Sequence, residues 1–117
     1  MSQEKKSNTP ESSPRRFTSI PIPPELLDKN LGVVQTALKA QYKNKLATTE
    51  DLEYIKANPD QFKDLQDNNW HFAFGSTVRD GDFVRVPFVV WRMGKFLQSS
   101  SWVGYGSDDG DRVLLRD

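Results

Sequence analysis

The stretch RVPFVVWRMGKFLQ, residues 85–98, decides how the rest of the chain must be arranged. Successive side chains of a strand point to opposite faces. Val84, Val86, Phe88 and Val90 therefore make one apolar face, and Arg85, Val89, Trp91, Met93 and Lys95 share the other, with Arg92 beside them. A solvent-facing side should be polar throughout, yet this one sets a tryptophan among cations. Pro87 removes a ladder donor and points to an edge strand or a bulge. With the helices packed elsewhere, the odd face over 83–96 is an exposed aromatic and basic surface. With the helices packed on it, the cations only reach water from its rim.

Outward from this strand the pattern is β-rich on both sides. Trp70, Phe72 and Phe74 alternate with His71, Ala73 and Gly75, and RDGD at 79–82 is a hairpin signal, so 70–78 is expected to pair with 83–92. SWVGYG predicts a third strand, SDDGD a turn around Asp109 and Gly110, and RVLL a fourth strand. Toward the N-terminus the period changes to three and four. Leu27, Leu31, Val34, Leu38 and Tyr42 predict a helix over 25–43 that Gly32 weakens or splits. Thr48 and Asp51 form a capping box ahead of a second helix ending near Ala57. Asn58 and Pro59 start a short third helix with Phe62 and Leu65 inward. Residues 1–19 are dominated by Ser, Glu, Lys, Arg and Pro and read as a disordered arm, followed by the stiff IPIPPE.

Helices first and strands afterwards predict an α+β domain over 20–117: two to three short helices packed on one face of a small antiparallel meander. A partly closed small β-barrel is the alternative. A last strand so close to residue 117 also suits the N-terminal part of a longer protein.

Composition narrows the function classes. With 117 residues and 36% hydrophobic content there is material for one core. Sixteen Lys+Arg balance sixteen Asp+Glu, so any electrostatic attraction to a partner must be local. It is: 50–67 carries Glu50, Asp51, Glu53, Asp60, Asp64 and Asp67 against Lys56 and Lys63, whereas 68–104 carries Arg79, Arg85, Arg92 and Lys95 against Asp80 and Asp82. The absence of cysteine removes disulfides, thiolate catalysis and cysteine metal sites, and fits a cytoplasmic or nuclear protein. The longest apolar run, Val86 to Trp91, is far too short to span a bilayer, so no membrane association is expected.

No catalytic, metal or cofactor set emerges. His71 is the only histidine and reads as a hydrogen-bonded sheet residue rather than a general base or ligand. Asp108, Asp109 and Asp111 lack the spacing of a calcium loop, with Arg112 beside them, and Ser99, Ser100 and Ser101 lack a nucleophile's setting. Thr9-Pro10 and Ser13-Pro14, next to Arg15 and Arg16, are minimal proline-directed phosphorylation sites, and PIPP at 21–24 has P-x-x-P spacing. The leading expectation is a non-enzymatic interaction module. It would bind a protein partner, or single-stranded nucleic acid, through Arg85, Trp91, Arg92 and Lys95, with Trp102 and Tyr105 as neighbouring aromatic surface. The alternative is a self-associating structural subunit, viral or from a large complex, that uses its arm and strand edges. Last comes an enzyme pairing His71 with an aspartate.

Overall fold

The computed structural model describes residues 15–117; the two Ser/Thr-Pro sites fall outside the described residues. The class is α+β and the sheet is open, not a closed barrel. Six strands, β1 (Phe17–Pro21), β2 (Trp70–Phe72), β3 (Val78–Asp80), β4 (Phe83–Arg92), β5 (Lys95–Trp102) and β6 (Asp111–Arg116), combine with helices α1 (Leu31–Tyr42) and α2 (Thr49–Ala57). Four 3₁₀ turns join them, at Pro24–Leu26, Lys43–Lys45, Pro59–Gln61 and Lys63–Leu65.

The sheet is mixed rather than a pure meander. β6 lies between β1, antiparallel to it, and β2, parallel to it; β4 follows, with β3 on the same side as β2 and β5 on the other. Residues 17–19, expected in the arm, are thus sheet. Phe17 packs into one core cluster and Ile20 into the other, which gives this short strand a reason to be ordered.

β4 is central, with neighbours on both sides, and Pro87 is tolerated there because the ladder is interrupted opposite it. The Ala73 N–H donates to the Pro87 carbonyl at 2.9 Å, and the return bond that proline cannot make is replaced by the Ser76 N–H on the Ala73 carbonyl at 3.2 Å. Both faces of β4 are covered. Leu31, Val34 and Leu38 of α1 pack with Val86, Phe88, Val90, Phe72 and Val113. Leu52 and Ile55 of α2, with Phe62 and Leu65 from the 3₁₀ turns, pack with Val89, Phe96, Ala73 and Leu114. The helices therefore flank both faces instead of one.

Further differences are local. The first helix starts at Asn30, whose side chain accepts from the Val33 N–H at 2.9 Å, so the break precedes Gly32. The expected third helix is two 3₁₀ turns. The strand expected over 83–96 reverses at Met93 and Gly94, both at positive φ (55° and 80°), the pair of values a type I′ hairpin demands. Lys95 thus begins β5, and the serines expected before a third strand lie within it.

Helix α2 carries the capping box read from Thr48 and Asp51, and Asp51 does more than cap. Its buried carboxylate accepts from the Thr48 N–H at 2.9 Å, meets the Arg116 Nε at 3.1 Å and the Arg15 guanidinium at 3.0 Å. One carboxylate thus ties α2 to the chain around both β1 and β6. Asp51→Asn is expected to lower unfolding free energy by about 3 kcal/mol, because two guanidiniums lose their counter-charge. Thr48→Ala should cost only about 1 kcal/mol. Urea unfolding monitored by tryptophan fluorescence distinguishes the two.

Candidate functional site

The face of the sheet packed by α1 opens into a groove at one corner. There Phe88 and Val90 of β4, Trp70 of β2 and Leu97 and Ser99 of β5 line a groove of about 400 Å³, with Tyr105, Arg85 and Arg92 around it. Its floor is built by cross-strand packing: the Trp70 and Phe88 rings stack at 4.1 Å and 6°. Leu97 remains 38% exposed and Tyr105 57% exposed. The aromatic surface continues past Tyr105 to Trp102 (centroids 5.4 Å apart) and from Trp102 to Phe83 (6.1 Å), both edge-on. The Trp102 indole lies directly on Gly104, where a Cβ would come within 2.5 Å of the ring, so only glycine lets it settle there.

Of the residues singled out from sequence, Arg85, Arg92 and Tyr105 line this groove, and Trp102 adjoins it through Tyr105. Lys95 pairs with Arg92 at the exposed β4–β5 hairpin. Trp91 is not with them. It lies on the opposite face, half-buried under the α2 layer and edge-on to Phe96 at 4.8 Å. The odd face of β4 is thus the second core, with Pro87 and Val89 buried on it. Trp70, Leu97 and Phe83 were not picked out as surface residues. Alternation in the sequence placed Phe88 and Val90 on a core face, and there the structure buries them, so that they only edge the groove.

Arg85 springs from the covered face, yet its guanidinium reaches the edge of β5. Nε donates to the Ser100 hydroxyl at 3.0 Å and a terminal nitrogen donates to the Ser100 carbonyl at 3.1 Å. Charge is distributed unevenly around the groove. β4 and β5 contain Arg85, Arg92 and Lys95 and no acid, while Trp70 borders Asp108, Asp109 and Asp111 on its far side. In that turn Asp111 accepts from the Asp108 N–H at 2.9 Å, and burial, with the neighbouring Asp108 and Asp109 charges, raises its pKa despite that bond.

His71 is wholly buried in β2, held at both ring nitrogens. Nε2 lies 2.8 Å from the Asp67 carboxylate and Nδ1 2.7 Å from the Ser19 hydroxyl. An ionised carboxylate only accepts, so Nε2 carries a proton and, in the neutral ring, the Ser19 hydroxyl donates to Nδ1. Although this set matches the members of a nucleophilic triad, His71 lines none of the four grooves found among the described residues, and Nδ1 is taken up by the Ser19 hydroxyl. What it can do is pin β1 to β2 across β6. Burial pushes the Asp67 pKa up, but the hydrogen bonds from His71 and the Asn69 N–H outweigh it and leave it lowered. Among the described residues no three His, Cys, Asp or Glu side chains converge as metal ligands. No helix among them is long and apolar enough to cross a membrane.

Comparison with known proteins finds no matching family model, no similar curated protein and no similar solved structure.

Two measurements follow from these placements. Trp91→Ala should destabilise by about 2 kcal/mol, as loss of a half-buried core ring, and Tyr105→Ala by less than about 1 kcal/mol. Because the Asp67 pKa is depressed in the folded state, its stabilisation is complete above the ordinary aspartate value of 3.8 and fades as pH falls below it. The melting-temperature gap between wild type and Asp67→Asn should therefore be constant near neutrality and shrink on acidification.

Proposed function

We propose that this chain is a non-enzymatic interaction module that holds a protein partner against the groove between Trp70, Phe88, Leu97 and Tyr105. The observation that carries this reading is the run of exposed aromatic and aliphatic side chains from Phe83 through Trp102 and Tyr105 to Leu97, beside Arg92 and Lys95. Concave apolar surface with a rim of Arg and aromatic side chains is the composition of interface hot spots. Single-stranded nucleic acid is the weaker reading. A base stacked on Trp70 would bring its phosphates toward Asp108, Asp109 and Asp111, which repel them. The lack of cysteine supports a cytoplasmic or nuclear setting for this role.

Selection of a displayed random-peptide library on the immobilised chain tests the reading. Enriched peptides should lose at least about tenfold in affinity with Tyr105→Ala or Leu97→Lys, the worth of one hot-spot contact, and be unmoved by Val33→Ser on α1. Peptides insensitive to both groove variants overturn it, as does tighter binding of a short mixed-sequence RNA than of any peptide. Light scattering at two concentrations reads the alternative of self-assembly, which predicts growth without added partner.

A further inference from the structure

We propose that the partner binds as an extended, acid-bearing segment that adds a strand to the open edge of β5, and that Arg85 guards this edge. This inference rests on the groove reading above and names its binding mode and partner chemistry.

The edge is defined by the hydrogen-bond phase of the ladder. The Val103 N–H donates to the Val84 carbonyl at 3.0 Å, so odd-numbered residues of β5 turn their backbone groups toward β4 and even-numbered ones turn outward. Two outward carbonyls are already occupied: Trp102 accepts from the Tyr105 N–H at 3.1 Å, and Ser100 accepts from Arg85. Among the described residues β5 pairs with β4 alone, so the amides of Phe96, Gln98 and Ser100 and the carbonyls of Phe96 and Gln98 face no strand. Natural edges of this length are blunted by proline, a bulge or an inward charge. β5 has no proline, and its only charged residue, Lys95, stands at its first position.

Arg85 supplies the missing protection. Its guanidinium sits where the N–H of a neighbouring strand would sit, satisfying the Ser100 carbonyl as that strand would. A partner strand must displace it or stop short of it. The charge of the arriving segment follows from the rim. With Arg92 and Lys95 at one end of the edge, Arg85 at the other and no acid in either strand, a segment carrying Glu or Asp on alternate residues is favoured. Its backbone gives the affinity and its intervening apolar side chains reach Leu97 and the groove.

The probe is a synthetic ten-residue peptide alternating valine with glutamate. Controls are the same peptide with lysine for glutamate and the same peptide N-methylated at alternate residues. On the full chain, amide hydrogen exchange and side-chain NMR shifts are read together. The glutamate peptide should slow exchange at Phe96 and Gln98, and each control should bind at least about tenfold more weakly. Arg85→Lys keeps the charge but loses the two-pronged clamp, so peptide affinity should rise about fivefold, the worth of one net hydrogen bond. Shifts at Leu97 and Tyr105 without protection of those amides would overturn strand addition and leave the groove reading standing. Equal binding of the lysine peptide would overturn the acidic preference, and unchanged or weaker binding to Arg85→Lys would overturn the guard. No binding at about 1 mM, with peptides from the library still sensitive to Tyr105→Ala, would overturn strand addition alone.

Discussion

Everything in this fold answers to one strand that cannot tolerate water on either face. β4 presents Val86, Phe88 and Val90 to one side and Pro87, Val89 and Trp91 to the other, and five of these six are buried. Two coverings are therefore obligatory, and the chain supplies α1 for one and α2 with the 3₁₀ turns for the other. The groove is a by-product of that economy. A helix about 10 Å across lies over roughly two strands spaced about 4.8 Å apart, and this sheet is wider than that. With α1 packed over Phe72, Val86, Val90 and Val113, the corner beside Trp70 and Leu97 stays open to solvent as a groove.

Local chemistry was legible in the sequence wherever one residue type had one job. Thr48 and Asp51 announced the start of α2, and the RDGD turn announced the β3–β4 hairpin, which reverses at Gly81 and Asp82. Met93 and Gly94 hid the next reversal, because a methionine is a poor advertisement for the left-handed conformation it adopts there. Pro87 misdirected the edge assignment for a different reason. Its compensation, the Ser76 amide, lies eleven positions back and becomes relevant only when the ladder is drawn.

The candidate surface shows the same division. Arg85, Arg92, Trp102 and Tyr105 were recognisable as residues that seldom stand idle at a surface, and they converge. Trp91 carried the same signal and went to the core, since residue type says nothing about which face a helix will choose. Leu97 and Phe83 were hidden from view by their hydrophobicity, which marks core and interface alike. Asp51 illustrates the converse. Its capping role was plain, while its two arginine partners lie 36 and 65 residues away in sequence and only the fold brings them in.

β6 occupies the slot between β1 and β2, and among the described residues β1 pairs with no other strand. During synthesis from the N-terminus, β1 leaves the ribosome roughly ninety residues before the strand that must flank it, at a closure cost that grows only with the logarithm of that separation. Until Asp111–Arg116 emerge, β2, β3, β4 and β5 can already pair with one another, whereas β1 waits without its strand partner. The sixth described strand is the one that locks the first in place, so β1 stays unpaired, and open to wrong partners, through the synthesis of every strand between them.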